Sequence, residues 1–227
     1  MRRFARVGST NRWVLDQARA GAAAGLVAVA DHQVAGRGRH GRTWESPPGT
    51  ALLASVLLRP SALAVAQWPL AGVAAALAAA DACRAVAGVA VTVKWPNDLV
   101  VGDAKLGGVL AEAEPAVGAA VVGLGVNLTW SPPGATRLGP VDRDTLLDAW
   151  LAALDAVAAD WPAVVSSFRH RCSTLGRAVR VDLPEGSFTG TAVDLTGAGH
   201  LVVEAGGVRR TVAAADVVHL REDAGTT

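Results

Sequence analysis

"AGRGRHGRTW" (Ala35–Trp44) admits three readings, and the choice between them decides the fold. Gly36, Gly38 and Gly41 spell the G-x-G-x-x-G of a dinucleotide-binding turn. The same glycines followed by Arg42 and Thr43 come within one residue of a P-loop, with arginine where lysine should stand. The third reading is a basic, glycine-rich loop that orders over an anionic ligand. Both named motifs need a helix starting on the last glycine, because its N-terminus holds the phosphates. Arg42, Thr43 and Trp44 followed by Pro47-Pro48-Gly49 leave no room for one. What remains is a mobile loop presenting Arg37, Arg39, His40 and Arg42, whose arginine forks suit phosphate and carboxylate oxygens.

Upstream of the loop, Ser9 or Thr10 caps a helix expected to run to about residue 24, where Gly25 stops it. "LVAVAD" (26–31) reads as a buried strand and "TALLASVLL" (50–58) as a second. Residues 64–87 form a long alanine-rich helix. "VTVKW" (91–95) and "LVV" (99–101) are strands around a Pro96-Asn97-Asp98 turn. "KLGGVLAEAE" and "GAAVVGLGVNL" then read as neighbouring strands of one sheet. Asp142 or Asp144 opens a helix carrying Leu146, Leu147, Trp150, Leu151 and Leu154, and another follows Pro162. From Ser173 short β-rich runs recur between Gly turns, which suits a small β-barrel or sandwich. The expected organisation is therefore a first domain over 1–172 and a second over 173–227.

Composition narrows the function. Lys+Arg 21 against Asp+Glu 20 leaves a formal net charge of +1, which argues against a global electrostatic grip on nucleic acid. No apolar run follows the N-terminal Met1-Arg2-Arg3, and the most apolar stretch, Leu70 to Ala80, is shorter than the ~20 residues of a membrane span. A soluble, cytoplasmic protein without membrane contact is expected, with Cys83 and Cys172 as reduced, packed thiols. Lysine occurs only at 94 and 105, and asparagine only at 11, 97 and 127. Arginine supplies the ordinary surface charge, so a lysine here does what a planar fork cannot. None of His32, His40, His170, His200 and His219 shows metal-ligand spacing.

Three further constellations stand beside the loop. "VKWPNDLVV" (93–101) puts Lys94, Asn97 and Asp98 at a strand–turn–strand corner, where Asn and Asp also commonly bond their own backbone. "AKLGGVLAE" (104–112) opens a strand with the other lysine beside two glycines. "GLGVNL" (123–128) ends an apolar strand on Asn127, which needs a partner if buried. Together with Ser9-Thr10-Asn11, the order and spacing of "GRGRHGRTW", "KWPND", "KLGG" and "GVN" resemble the biotin–protein ligases over essentially the whole chain.

That resemblance implies an α+β fold: a mixed β-sheet flanked by helices, class II synthetase-like, followed by an SH3-like β-barrel. It implies a two-step reaction. Biotin's carboxylate attacks the α-phosphate of ATP with Mg²⁺, giving biotinyl-5′-AMP and pyrophosphate. A lysine of a biotin carboxyl carrier domain of acetyl- or acyl-CoA carboxylase then displaces AMP. Neither step needs an enzyme nucleophile. By the same resemblance Ser9, Thr10, Asn11, Gln33, Arg37, Gly38, Arg39, Lys105 and Gly108 bind biotin. Arg39, Arg42, Trp44, Lys94, Asn97, Lys105 and Asn127 bind ATP. Lys105 bridges the biotin carboxylate and the α-phosphate while Arg37 and Arg39 hold the same region, and Asp98 orients the carrier lysine. No dedicated metal site is implied.

Only eight residues precede Ser9, so the DNA-binding domain of repressor-type members is expected to be absent, and with it operator binding. Gly107 stands where the family has alanine, a change expected to loosen the strand. A homodimer is compatible with the resemblance. Two rivals share the fold: a lipoate or octanoate ligase or transferase, and a non-catalytic biotin-binding module.

Overall fold

Eight consecutive apolar or small residues, Ala51–Leu58, form β3, an inner strand of the sheet. Their alternation divides the first domain. Leu52, Ala54 and Val56 face one hydrophobic cluster, and Leu57 faces another. The computed structural model describes residues 1–213 and 215–220. The other strands of this sheet are β1 (Arg2–Phe4), β2 (Val27–Ala30), β4 (Thr92–Lys94), β5 (Asp98–Val101), β6 (Ala104–Glu114) and β7 (Ala119–Asn127). Their order is β1-β2-β3-β7-β6-β5-β4, parallel only between β1 and β2.

Helix α1 (Thr10–Arg19) covers one face through Val14, Leu15 and Ala18. Its length corrects the expected run to residue 24: the chain turns at Ala20 and Gly21, whose φ of 89° only glycine adopts freely. Helix α2 (Leu70–Ala87) covers the other face, with α3 (Arg143–Ala158) and α4 (Trp161–Arg171) outside it. Ala71, Ala74, Ala75 and Ala78 are fully buried, and Trp150 of α3 donates its indole N–H to Ala75 O (3.1 Å). Asp142 is the cap of α3, accepting from Thr145 N at 2.7 Å, so Asp144 is not. Residues 65–87 form a helical run long and apolar enough to cross a membrane, longer than the stretch singled out in the sequence, and 67% of its most apolar window is buried in this core.

Strands β8 (Ala178–Leu183), β9 (Gly186–Leu195), β10 (Leu201–Ala205), β11 (Val208–Val212) and β12 (Asp216–His219) make a second, antiparallel sheet ordered β11-β10-β9-β8-β12. This is the SH3-like piece. Its inward residues Val179, Val181, Leu195 and Leu201 join the α2 cluster, so the core is continuous across the expected boundary at 172. Cys83 and Cys172 are free and buried; burial pushes the Cys83 thiol up to about 12.

Candidate functional site

The α1 face of the sheet is left open beyond the end of the helix, and a cavity of about 380 Å³ fills that space. Its floor is neutral and densely hydrogen-bonded. Ser9 caps α1, placing Thr10 and Asn11 over the strands with each of the three at most 6% exposed. Thr10 donates both its N–H and its hydroxyl to Gln33 Oε1 (2.7 and 3.0 Å). Asn11 spends its amide protons on Leu110 O (3.1 Å) and Glu112 Oε2 (2.9 Å). Its Oδ1 accepts from Ser55 Oγ (2.6 Å), which also lies 2.7 Å from Thr10 Oγ1. A Cβ at Gly123 would run into Asn11 Oδ1, so the network requires glycine there.

The arginine loop forms the roof. Gly38 N donates to Arg42 O (2.6 Å) and Trp44 N to Gly36 O (3.1 Å), closing a ring around a single 3-10 turn at Arg39–Gly41. No α-helix begins on Gly41, which disposes of both nucleotide-loop motifs. His40 (φ 53°) and Gly41 (φ 73°) make the reversal in the left-handed region. Arg37 pairs with Glu112 at 2.8 Å, so one carboxylate ties the roof to Asn11 in the floor. Arg42 pairs with Asp216 of β12, and Arg39 donates to Ala215 O (3.4 Å). Burial lowers the Arg39 pKa, against the opposing pull of Asp216.

The side wall is the two lysine-bearing segments. Asn97 donates to Val109 O (2.7 Å) while Val109 N donates back to Asn97 O (3.0 Å), fixing the turn to β6. Opposite it, the register of β6 slips: Leu99 faces Gly107 but Val100 faces Lys105, leaving Leu106 as the extra residue. This bulge turns Lys105 out of the α2 side, where Leu106 is fully buried, and over Gly108. Lys105 Nζ reaches Asp98 Oδ1 at 2.6 Å and lies 6.0 Å from the Trp44 ring centroid. That ring packs on Gly125, whose Cβ would come within 2.8 Å of it. Gly107 is not a loosening change here, because a Cβ would run into Gly125 O.

Of the residues given a biotin, ATP or catalytic role by the resemblance, every one lines this cavity except Asn127; His40 of the loop lies outside the lining. Asn127 donates to Thr136 O (3.0 Å), and among the described residues its buried Oδ1 has no partner, nor has Trp44 Nε1. Sequence reasoning missed Gly123 and Gly125, with Asp182, Asp216 and Val217 from the second sheet, all on the cavity wall, and Ser55 and Glu112, which hold Asn11 from behind it. The period-2 alternation that puts Leu53 and Ser55 on one face, and Gly123 and Gly125 on another strand's same face, was the available signal.

Behind the wall, His219 Nε2 lies 3.0 Å from Thr174 Oγ1. Burial, with help from Lys94 and Arg177 and against Asp103, pushes its pKa down from 6.5 to about 4. A base lowered in the folded state is protonated first in the unfolded chain, so its contribution is complete above pH 6.5 and is lost as pH falls towards 4. The urea midpoint is expected to drop across that window, and His219→Gln to flatten the drop; an equal slope in the variant contradicts the assignment.

Residues 4–127 match the Biotin/lipoate A/B protein ligase family, and residues 174–220 match the Biotin protein ligase C terminal domain. The chain is 39% identical to the biotin–[acetyl-CoA-carboxylase] ligase of Mycobacterium tuberculosis, covering 96% of this chain and 88% of that one. Its fold is similar to the Aquifex aeolicus biotin protein ligase in complex with biotin and ATP, with TM-score 0.81, 25% identity and coverage of 97% and 98%. The Leishmania major ligase in complex with biotinyl-5-AMP gives TM-score 0.67, 27% identity and coverage of 94% and 98%.

Proposed function

Because this chain belongs to the biotin/lipoate A/B protein ligase family, we propose that its cavity performs the reaction for which its relatives are named, ATP-dependent attachment of biotin to acetyl-CoA carboxylase. One observation carries the reading: a neutral hydrogen-bonding floor and a cationic roof share one cavity and meet at Lys105. Biotin is apolar with a polar ureido ring, and the floor suits it. With Gln33 Oε1 taken by Thr10, the Gln33 amide nitrogen is left to donate to a ureido carbonyl. Ser9 and Thr10 complete that contact, while Asn11 supports it from behind. Arg37, Gly38 and Gly108 border the acyl chain.

Bringing a carboxylate against a triphosphate demands cancellation of negative charge. Lys105, on its bulge, would leave Asp98 to bridge the two anions, with Arg39, Arg42 and Lys94 on the phosphates. Trp44 offers a face for adenine, its indole N–H and Asn127 Oδ1 still unpaired among the described residues. The roof excludes water from the adenylate. Asn97 acts by holding the corner.

Mg²⁺ would enter with ATP: among the described residues no group of three or more His, Cys, Asp or Glu could hold a metal, so such an ion would take its ligands from phosphates and water. When bound it would screen the phosphate charge. The carrier is taken to be the biotin carboxyl carrier domain, and the setting the cytoplasm. The match of 174–220 to the biotin-specific C-terminal domain favours biotin over lipoate.

The deciding experiment is acid-dependent exchange of labelled pyrophosphate into ATP, with biotin, lipoate and octanoate in parallel. Exchange with biotin alone supports the reading, exchange with lipoate moves the substrate, and none leaves a binding module. For the second step, once Lys105 has turned to the phosphates, Asp98 is free to accept from the carrier lysine. Asp98→Asn is expected to slow single-turnover transfer from isolated biotinyl-5′-AMP by about tenfold or more. An unchanged transfer rate would remove Asp98 from that role.

A further inference from the structure

The corner joins β4, which ends on Lys94, to β5, which begins on Asp98, and β4 is the edge strand of its sheet. Edge hairpins fray unless something covers the free side. Here the start of the second domain does so. Val93 pairs with Cys172, and Ser173 N donates to Val93 O (3.0 Å). The next contact is side chain to backbone. Trp95 N donates to Thr174 Oγ1 at 3.0 Å, Thr174 being fully buried and outside the cavity lining. The Trp95 indole N–H donates to Gly199 O at 3.0 Å, and Trp95 is 2% exposed. Having accepted from Trp95, the Thr174 hydroxyl has one proton to give. It lies 3.0 Å from His219 Nε2, a second hydrogen-bond partner for the same hydroxyl. One hydroxyl thereby meets two polar groups, the buried Trp95 N–H of the corner and the half-buried His219 Nε2 of β12.

We propose that Thr174 and Trp95 are positioning residues, through which the C-terminal domain aims Lys94 and Asp98 at the reacting groups. The inference rests on the ligase reading above. It assigns that domain a role in adenylation separate from any substrate contact of its own. Neither residue supplies charge or a proton to the reaction; they hold the strand that does. Biotin's floor lies on α1, β3, β6 and β7, none of which the clamp touches, so biotin binding is expected to be independent of it.

Thr174→Val keeps the shape of the side chain but strands Trp95 N–H and His219 Nε2; Thr174→Ser restores the oxygen. Amide hydrogen exchange by mass spectrometry reads the clamp without any reaction. Thr174→Val should speed exchange over residues 92–98 by about tenfold, with β9 and β10 unchanged and Thr174→Ser at the wild-type rate. In biotin-dependent pyrophosphate exchange, Thr174→Val should lower kcat by about tenfold or more while KM for biotin stays within about twofold. Trp95→Phe, which removes only the indole donor, should shift both readouts in the same direction, and it serves if the valine variant does not fold. Wild-type protection of 92–98 in both variants, or faster exchange with unchanged kcat, overturns the proposal. Were wild-type protein to show no biotin-dependent exchange, the ligase reading would fall, while amide exchange would still decide whether the clamp exists.

Discussion

Lys105→Ala is expected to lower kcat/KM for biotin-dependent pyrophosphate exchange by about 10²–10³-fold. The lysine is one of only two in the chain, and the bulge at Leu106 places it over Gly108 rather than in the α2 core. Its ammonium already meets an anion, Asp98 Oδ1 at 2.6 Å, and in the reaction would trade that partner for the carboxylate and phosphate oxygens. Arg37 and Arg39 remain in the variant, which limits the loss. Lys105→Arg should not restore the rate, because a broad fork cannot occupy the space between Trp44 and Gly108. Biotin affinity measured by calorimetry should fall far less than the rate does. A loss below about tenfold in kcat/KM would take Lys105 out of the adenylation step.

Gly123→Ala is expected to weaken biotin binding by about 10²-fold. The added methyl collides with Asn11 Oδ1 and sits 3.2 Å from Ser55 Oγ. Neither neighbour can retreat, because Asn11 is 4% exposed and Ser55 fully buried. Moving Asn11 also withdraws its donor from Glu112, the partner of Arg37, so the roof loosens together with the floor. Isothermal titration with biotin alone isolates this effect from catalysis. An affinity within about fivefold of wild type would mean that the floor yields more easily than its hydrogen bonds imply.

Much of this site was legible in the sequence because its chemistry is local. Three glycines among four basic residues, and two lysines in an arginine-rich chain, announce themselves without a fold. The rest depends on which strands pair. Ser55 and Gly123 become neighbours only through the β3–β7 register, and each is an unremarked small residue in its own strand. Glu112 reads as a polar position on a half-exposed strand until Asn11 and Arg37 reach it from separate elements. The bulge at Leu106 is set by the partner strand, and nothing in "KLGG" marks it. Strand β1 escaped notice because three residues carry no periodicity, and the part played by Asp216 and Thr174 needed the second sheet in place.

The pairing of β3 with β7 has a bearing on how the protein comes to be folded at all. Every other neighbour pair in the first sheet joins strands consecutive along the chain, β1 and β2 across α1 and β2 and β3 across the arginine loop. Between β3 and β7 lie the whole of α2, the β4–β5 corner and β6. Closing so long a loop is entropically costly and slow compared with forming the local hairpins. Ser55 and Gly123 lie on those two strands, so the floor beneath Asn11 exists only once that closure is complete. During refolding, capacity to hold a ligand should therefore emerge in the late kinetic phase, after most secondary structure. A ligand that selects the closed floor would retain each chain that has finished this step.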